Sequence, residues 1–105
     1  MFCLTLMIDD EKPFAWDLNG CAVKPNIIAR TFEAGLECLR NLKISTLYLD
    51  YDLGLDGKTG YDILEFLLAN SQYMPTKLIL ISLNPIGTKR MQALVNEIEH
   101  LKSKD

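Results

Sequence analysis

Residues 44 to 62 read ISTLYLDYDLGLDGKTGYD, and two patterns meet within them. Ile44 to Leu49 is a largely apolar run of one strand's length. It closes on Asp50 and Asp52, a pair for which a buried strand has no packing use, and a loop follows from Gly54 to Gly60. From Tyr61 to about Asn70, the residues Ile63, Leu64, Leu67 and Leu68 recur with helical spacing, and Asp62 suits the first turn of that helix. A buried strand thus ends in carboxylates and turns through glycines into a helix.

The rest of the chain repeats this alternation. Phe2 to Ile8 reads as a central strand that ends at Asp9 and Asp10. Asp10 to Pro25 carries two prolines and Asn19-Gly20 without a helical period, so it is expected to be irregular, with a short strand near Cys21 to Val23. Ile27 to Ala29 is a short strand. Thr31 then caps a helix that places Phe32, Gly35, Leu36, Leu39 and Leu42 on one face, although Gly35 weakens it. Lys77 to Ile81 reads as a strand covered on both faces. A last helix, starting near Thr88, carries Met91, Leu94, Val95, Ile98 and Leu101 at core spacing. Strands that alternate with helices build a parallel sheet with right-handed crossovers and helices on both faces. The expectation is therefore a three-layer α/β fold with four main parallel strands, in a single domain spanning residues 1–105.

Composition narrows the class. With 49% hydrophobic and 24% charged residues and no low-complexity tract, the chain reads as a globular protein rather than a disordered one. The apolar run at the N-terminus stops at Asp9, too short for a membrane span and without the basic leader of a signal peptide. Cys3, Cys21 and Cys38 lack metal-site spacing and are expected to be buried free thiols in a reducing cytoplasm. A net charge of −3 argues against a broad nucleic-acid surface, which needs clustered Lys and Arg.

In a parallel sheet the C-terminal ends of all strands gather on one edge, where ligands bind. Asp9 and Asp10 end one strand, and Asp50 and Asp52 close another. If those strands are neighbours, about 4.8 Å apart, their carboxylates crowd one crevice and need a counter-charge. A divalent cation with oxygen ligands, Mg²⁺ above all, supplies it. Ser82 ends the last strand on the same edge, where its hydroxyl can donate to a phosphoryl oxygen. Lys89 and Arg90 are expected in the first turn of the last helix, where a bound anion would offset their unfavourable interaction with the helix dipole. The one histidine, His100, falls on the far turn of that helix and is set aside as a catalytic base. Trp16 is read as a core residue rather than a lid.

These residues resemble those of receiver domains, the phosphoacceptor modules of response regulators. The closer resemblance is to the cyclic-phosphate processing receiver domain of bacteria and their phages. Its motifs are matched by DDEKP at 9–13, LDYDLG at 49–54, TGYD at 59–62 and ISLNPIG at 81–87. The resemblance covers nearly the whole chain. It implies a receiver-like (flavodoxin-like) fold with strand order 2-1-3-4, a degenerate first helix and no chain left for a fifth strand. It also implies that Asp9, Asp10, Asp50 and Asp52 form the metal site and that Ser82, Asn84 and Arg90, with Lys89 beside them, face the phosphate. Any chemistry would rest on Asp50 and Ser82.

Tyr51 and Ile81 depart from the family pattern, which has histidine at both positions. Two general acid/base groups are lost with them, so turnover is left open. The leading expectation is a module that binds Mg²⁺ and a phosphate-bearing ligand, either a cyclic nucleotide or a cyclic-phosphate RNA end. The alternatives are a degenerate receiver that docks on a protein partner, such as a phage factor acting on its host, and a true phosphoacceptor that uses Asp50.

Overall fold

A computed structural model describes residues 4–54 and 57–102. In chain order the elements are β1 (Leu4–Ile8), β2 (Ala15–Trp16), β3 (Ala22–Val23), β4 (Ile27–Ala29), α1 (Phe32–Asn41), β5 (Ile44–Leu49), α2 (Gly60–Ala69), β6 (Lys77–Leu80) and α3 (Pro85–Lys102). A short 3-10 turn, Ser71–Tyr73, leads from α2 towards β6. The main sheet has the order β4-β1-β5-β6, and every pair in it is parallel. With the four main strands counted alone, this is the expected order 2-1-3-4. Phe2 and Cys3, which the sequence assigns to the first strand, lie outside the described residues.

Alternation along the strands splits the core in two. Leu6, Ile8, Leu47 and Leu49 face the three helices and pack with Leu36, Leu39, Ile63, Leu67, Met91, Val95 and Ile98. Met7, Tyr48, Ile79 and Ile81 form a second, smaller cluster with Ala15, against which Trp16 and Val23 pack. The three layers are therefore helices, sheet and a two-stranded antiparallel hairpin, β2-β3. Helices were expected on both faces; on the second face the hairpin takes their place. Its turn is tied by the Asp17 carboxylate, which accepts from the N–H groups of Asn19 and Cys21 at 2.9 and 3.0 Å, while Gly20 takes a positive φ of 80°. Trp16, expected in the core, is only half-buried and packs against this cluster from the hairpin.

Several local expectations need correction. Leu42 and Leu101 are exposed: Leu42 is the residue at which α1 ends, and Leu101 lies in the last turn of α3. Gly35 is in α1 because a Cβ there would come within 2.6 Å of the Ile8 side chain. Cys21 is exposed on the hairpin and Cys38 is half-buried, so the described thiols are not core residues. The last helix begins at Pro85 rather than near Thr88. Asn84 caps it, its side-chain oxygen accepting from the N–H groups of Ile86 and Gly87 at 3.1 and 3.0 Å, and proline is favoured at the first helical position. Lys89 and Arg90 consequently stand in the second turn.

Candidate functional site

Register brings the acidic strand ends together. Ile8 pairs with Leu49 across β1 and β5, and the ladder continues as the Asp50 N–H donates to Ile8 O at 3.0 Å. On the outer side the Asp9 N–H donates to Ala29 O at 3.0 Å, and on the other side the Ile81 N–H donates to Leu49 O at 2.9 Å. Asp9 and Asp50 are thus held by backbone on adjacent strands. One carboxylate oxygen from each of Asp9, Asp10 and Asp50 lies within 4.8 Å of the other two.

Asp52 is not in that group. Its side chain is exposed and its backbone bridges to Thr59, closing the loop. Asp62, the last carboxylate of the opening stretch, is a capping group: it accepts from the Thr59 N–H at 2.8 Å at the start of α2. Gly60 is there for contact, because a Cβ on it would run into the Asp50 carbonyl oxygen and approach Met91 Sδ at 2.8 Å.

The three carboxylates are not equivalent. Asp9 is fully buried. Its Oδ1 accepts from the N–H groups of Glu11 and Lys12, each at 2.9 Å, so the loop folds back around it. Its Oδ2 is buried without a hydrogen bond of good geometry, although Lys12 Nζ stands 3.0 Å away as an ion-pair partner. Lys12 Nζ is also 3.4 Å from Asp50 Oδ2 and 5.8 Å from the centre of the Trp16 ring. Asp50 Oδ1 accepts from the Tyr51 N–H at 2.8 Å. Asp10 is exposed.

These surroundings push the two buried groups apart. For Asp9, burial raises the pKa, but the N–H donors of Lys12 and Glu11 and the Lys12 ammonium outweigh it, and the net shift is downward. Asp50 is held above the ordinary carboxylate value, first by burial and then by repulsion from Asp9, against the opposing pull of the Tyr51 N–H and Lys12. Burial works to lower the pKa of Lys12, yet its carboxylate partners leave it raised. An all-oxygen donor set with one buried, poorly satisfied oxygen fits a hard cation, and Asp9, Asp10 and Asp50 are the residues that could hold one.

The phosphate-side candidates are placed differently. Ser82 is half-buried and its Oγ accepts from the Asn84 N–H at 3.0 Å. Asn84 spends its carbonyl oxygen on capping α3. Lys89 is exposed. Arg90 Nη1 donates to the Tyr51 hydroxyl at 2.9 Å, and its guanidinium lies 4.8 Å from the centre of the Tyr61 ring. The Tyr51 ring lies over Gly87, where a Cβ would collide with it. Ile81 is fully buried in the hairpin-side cluster. His100 lies in the last turn of α3; that end of the helix is tied by Lys102 to the carbonyls of Pro75 and Thr76, which precede β6, so it is remote from the carboxylates.

A family model of the cyclic-phosphate processing receiver domain matches residues 4–97. The chain belongs to that family. No curated protein and no solved structure matches it. In this receiver domain the LDYDLG and TGYD motifs have separate uses: Asp50 supplies the cluster, Tyr51 holds Arg90, Leu53 is buried, Gly54 takes a positive φ of 113°, and Thr59 to Asp62 start α2 against the Asp50 carbonyl.

Two residues of this edge had no role in the sequence reading. Lys12 stands in the DDEKP motif, but nothing in its spacing says that the loop returns its ammonium to Asp9. Arg30 follows β4 on the same edge and donates through Nη1 to Lys12 O at 2.6 Å and to Asp9 O at 3.4 Å. Its position one residue beyond a parallel strand was the available signal. A hollow of about 690 Å³ at the other end of the molecule, lined in part by Leu68, Met74, Ile98 and Leu101, takes no part in this site. Among the described residues no helix is long and apolar enough to cross a membrane.

Proposed function

We propose that this receiver domain binds Mg²⁺ through Asp9, Asp10 and Asp50 and, beside it, a phosphate-bearing ligand such as a cyclic nucleotide or a cyclic-phosphate RNA end. The observation that carries the reading is the meeting of three carboxylates at the ends of adjacent strands, two of which, Asp9 and Asp50, are buried. A bound Mg²⁺ would supply charge neutralisation for the phosphoryl oxygens. Ser82, whose Oγ accepts from the Asn84 N–H, keeps its O–H as a donor. Arg90, held by Tyr51 and Tyr61, presents a guanidinium whose remaining N–H groups suit phosphate oxygens.

The site offers binding groups without the family's two histidines. Ile81 is apolar and buried, and the Tyr51 hydroxyl is engaged with Arg90, so neither stands in for a histidine as a general acid or base. Isothermal calorimetry with Mg²⁺ on the natural chain and on Asp50→Ala tests the metal site: heat of binding in the first and none in the second is expected, and identical silent traces would end the proposal. A screen of cyclic mono- and dinucleotides and cyclic-phosphate RNA ends with Mg²⁺ then names the ligand.

A second reading, docking on a protein partner, draws on Leu83 and Ile86, which are 79% and 74% exposed where β6 passes into α3. A partner retained from lysate after Asp9→Asn and Asp50→Asn would favour it. The phosphoacceptor reading predicts a gain of about 80 Da on Asp50 after treatment with acetyl phosphate.

A further inference from the structure

We infer that Lys12 is a tethered counter-ion that sets the cation affinity of the carboxylate site, so that a divalent ion enters by exchange with an ammonium already in place. The inference rests on the proposed metal site and goes beyond it by naming the residue that tunes it. Four observations carry it. Lys12 Nζ lies 3.0 Å from Asp9 Oδ2 and 3.4 Å from Asp50 Oδ2, so one ammonium serves the carboxylates at the ends of both strands. Its backbone is anchored twice, by its N–H to Asp9 Oδ1 and by its carbonyl to Arg30 Nη1, so the base of the side chain is fixed beside the two carboxylates. The side chain is only 18% exposed. Asp9 Oδ2 is buried, and the Lys12 ammonium is the group that compensates its charge.

The chemistry follows from charge and flexibility. A lysine ammonium is a point charge on a four-carbon stem and can leave without moving its backbone. A monovalent ion brings no more charge to the two carboxylates than the ammonium does, so it gains little by exchange. A divalent ion brings twice that charge and a directional oxygen-coordination preference. Displacing the ammonium costs any entering cation the same free energy, so Lys12 weakens all cations alike, and the divalent ion, which gains most from the two carboxylates, is the one that still enters. Its departure is observable, because its ammonium lies 5.8 Å from the centre of the Trp16 ring and Trp16 is the single tryptophan of the chain.

The test is a Mg²⁺ titration of the natural chain, Lys12→Met and Asp50→Asn, read by calorimetry and by Trp16 fluorescence. Lys12→Met is expected to bind Mg²⁺ about tenfold more tightly or better, and in the natural chain the tryptophan emission should change along the same isotherm as the heat. Equal affinities for the natural chain and Lys12→Met would overturn the inference and leave the metal site standing. Silence in both, with circular dichroism showing both folded, would overturn the metal site and the inference together. If Lys12→Met does not fold, the natural chain still decides: binding heat that Asp50→Asn abolishes, with no change in Trp16 emission, would overturn the inference.

Discussion

Asp9 and Asp50 are neighbours on adjacent strands, yet their environments move them in opposite directions, and this makes a pH prediction with two branches. Between the ordinary carboxylate value near 4 and the raised value of Asp50, the folded chain holds a proton that the unfolded chain has lost. Stability therefore rises as pH falls through the folded pKa of Asp50. Below about pH 4 the sign reverses: the unfolded chain protonates its Asp9 while the folded chain keeps it ionised, so stability is lost as pH falls through Asp9's lowered value. Urea melts in a chelator between pH 3 and 7 should show the upper branch in the natural chain and not in Asp50→Asn. A stability difference between the two that stays constant from pH 4 to 7 would refute the assignment. Steric constraint at single residues is equally specific. Gly60→Ala drives a methyl into the Asp50 carbonyl, which is fixed backbone, and should cost about 1–3 kcal/mol or more. Gly35→Ala meets the side chain of buried Ile8, its Cδ1 at 2.6 Å and its two Cγ atoms at 3.1 and 3.2 Å, which can shift where backbone cannot, and the gain in helix propensity of about 1 kcal/mol offsets part of the clash. Denaturant midpoints that fall equally in the two variants would contradict this contrast.

At the scale of elements, what the sequence disclosed depended on periodicity. β4 and β5 match their expected limits because each is an apolar run bounded by polar or turn residues. β2 escaped notice because two residues have no period to read, and its pairing with β3 depends on a turn tied by the Asp17 side chain. α3 starts three residues before the expected Thr88 because the apolar repeat begins only at Met91, whereas the helix is nucleated earlier by Asn84 and Pro85. The acidic pair was legible from strand-end position, and the members of the cluster were less so. A continued strand would put Asp50 and Asp52 on one face, but β5 stops at Leu49 and Asp52 is drawn to Thr59 instead. Lys12 was illegible because its place depends on Asp9 folding an irregular loop around its own carboxylate. The cap on α3 gives a direct prediction. Asn84→Ala should cost about 0.5–2 kcal/mol in thermal or urea unfolding, and Asn84→Asp, which keeps the accepting oxygen, should recover most of it. Equal losses in both variants would mean that Asn84 matters for its amide nitrogen rather than as a cap.

Across the whole molecule the two faces of the sheet are unequally secured. One face carries three helices and most of the buried side chains, and the other is closed by a two-stranded hairpin that contributes Ala15, Trp16 and Val23 to a small cluster. Local opening is cheapest where few apolar contacts and few backbone bonds must be broken. The hairpin has two residues in each strand and a turn held by the Asp17 carboxylate and two backbone hydrogen bonds, so it should open without the rest of the fold. The hairpin also carries Trp16, the ring nearest the Lys12 ammonium, so its opening exposes the hairpin side of the carboxylate edge while the helix side stays intact. Native-state hydrogen exchange should therefore find the Asp17 and Gly20 amides, which bond within the hairpin at 2.9 and 3.0 Å, exchanging through openings at least tenfold more frequent than those that release the Leu47 and Tyr48 amides of β5. Trp16→Ala should widen that gap by removing the largest side chain that ties the hairpin to the sheet, with little change at β5 beyond the loss of global stability. Protection factors for Asp17 and Gly20 equal to those in β5 would show instead that hairpin and sheet unfold as one cooperative unit, and the carboxylate edge could then be reached only through global unfolding or from its exposed Asp10 side.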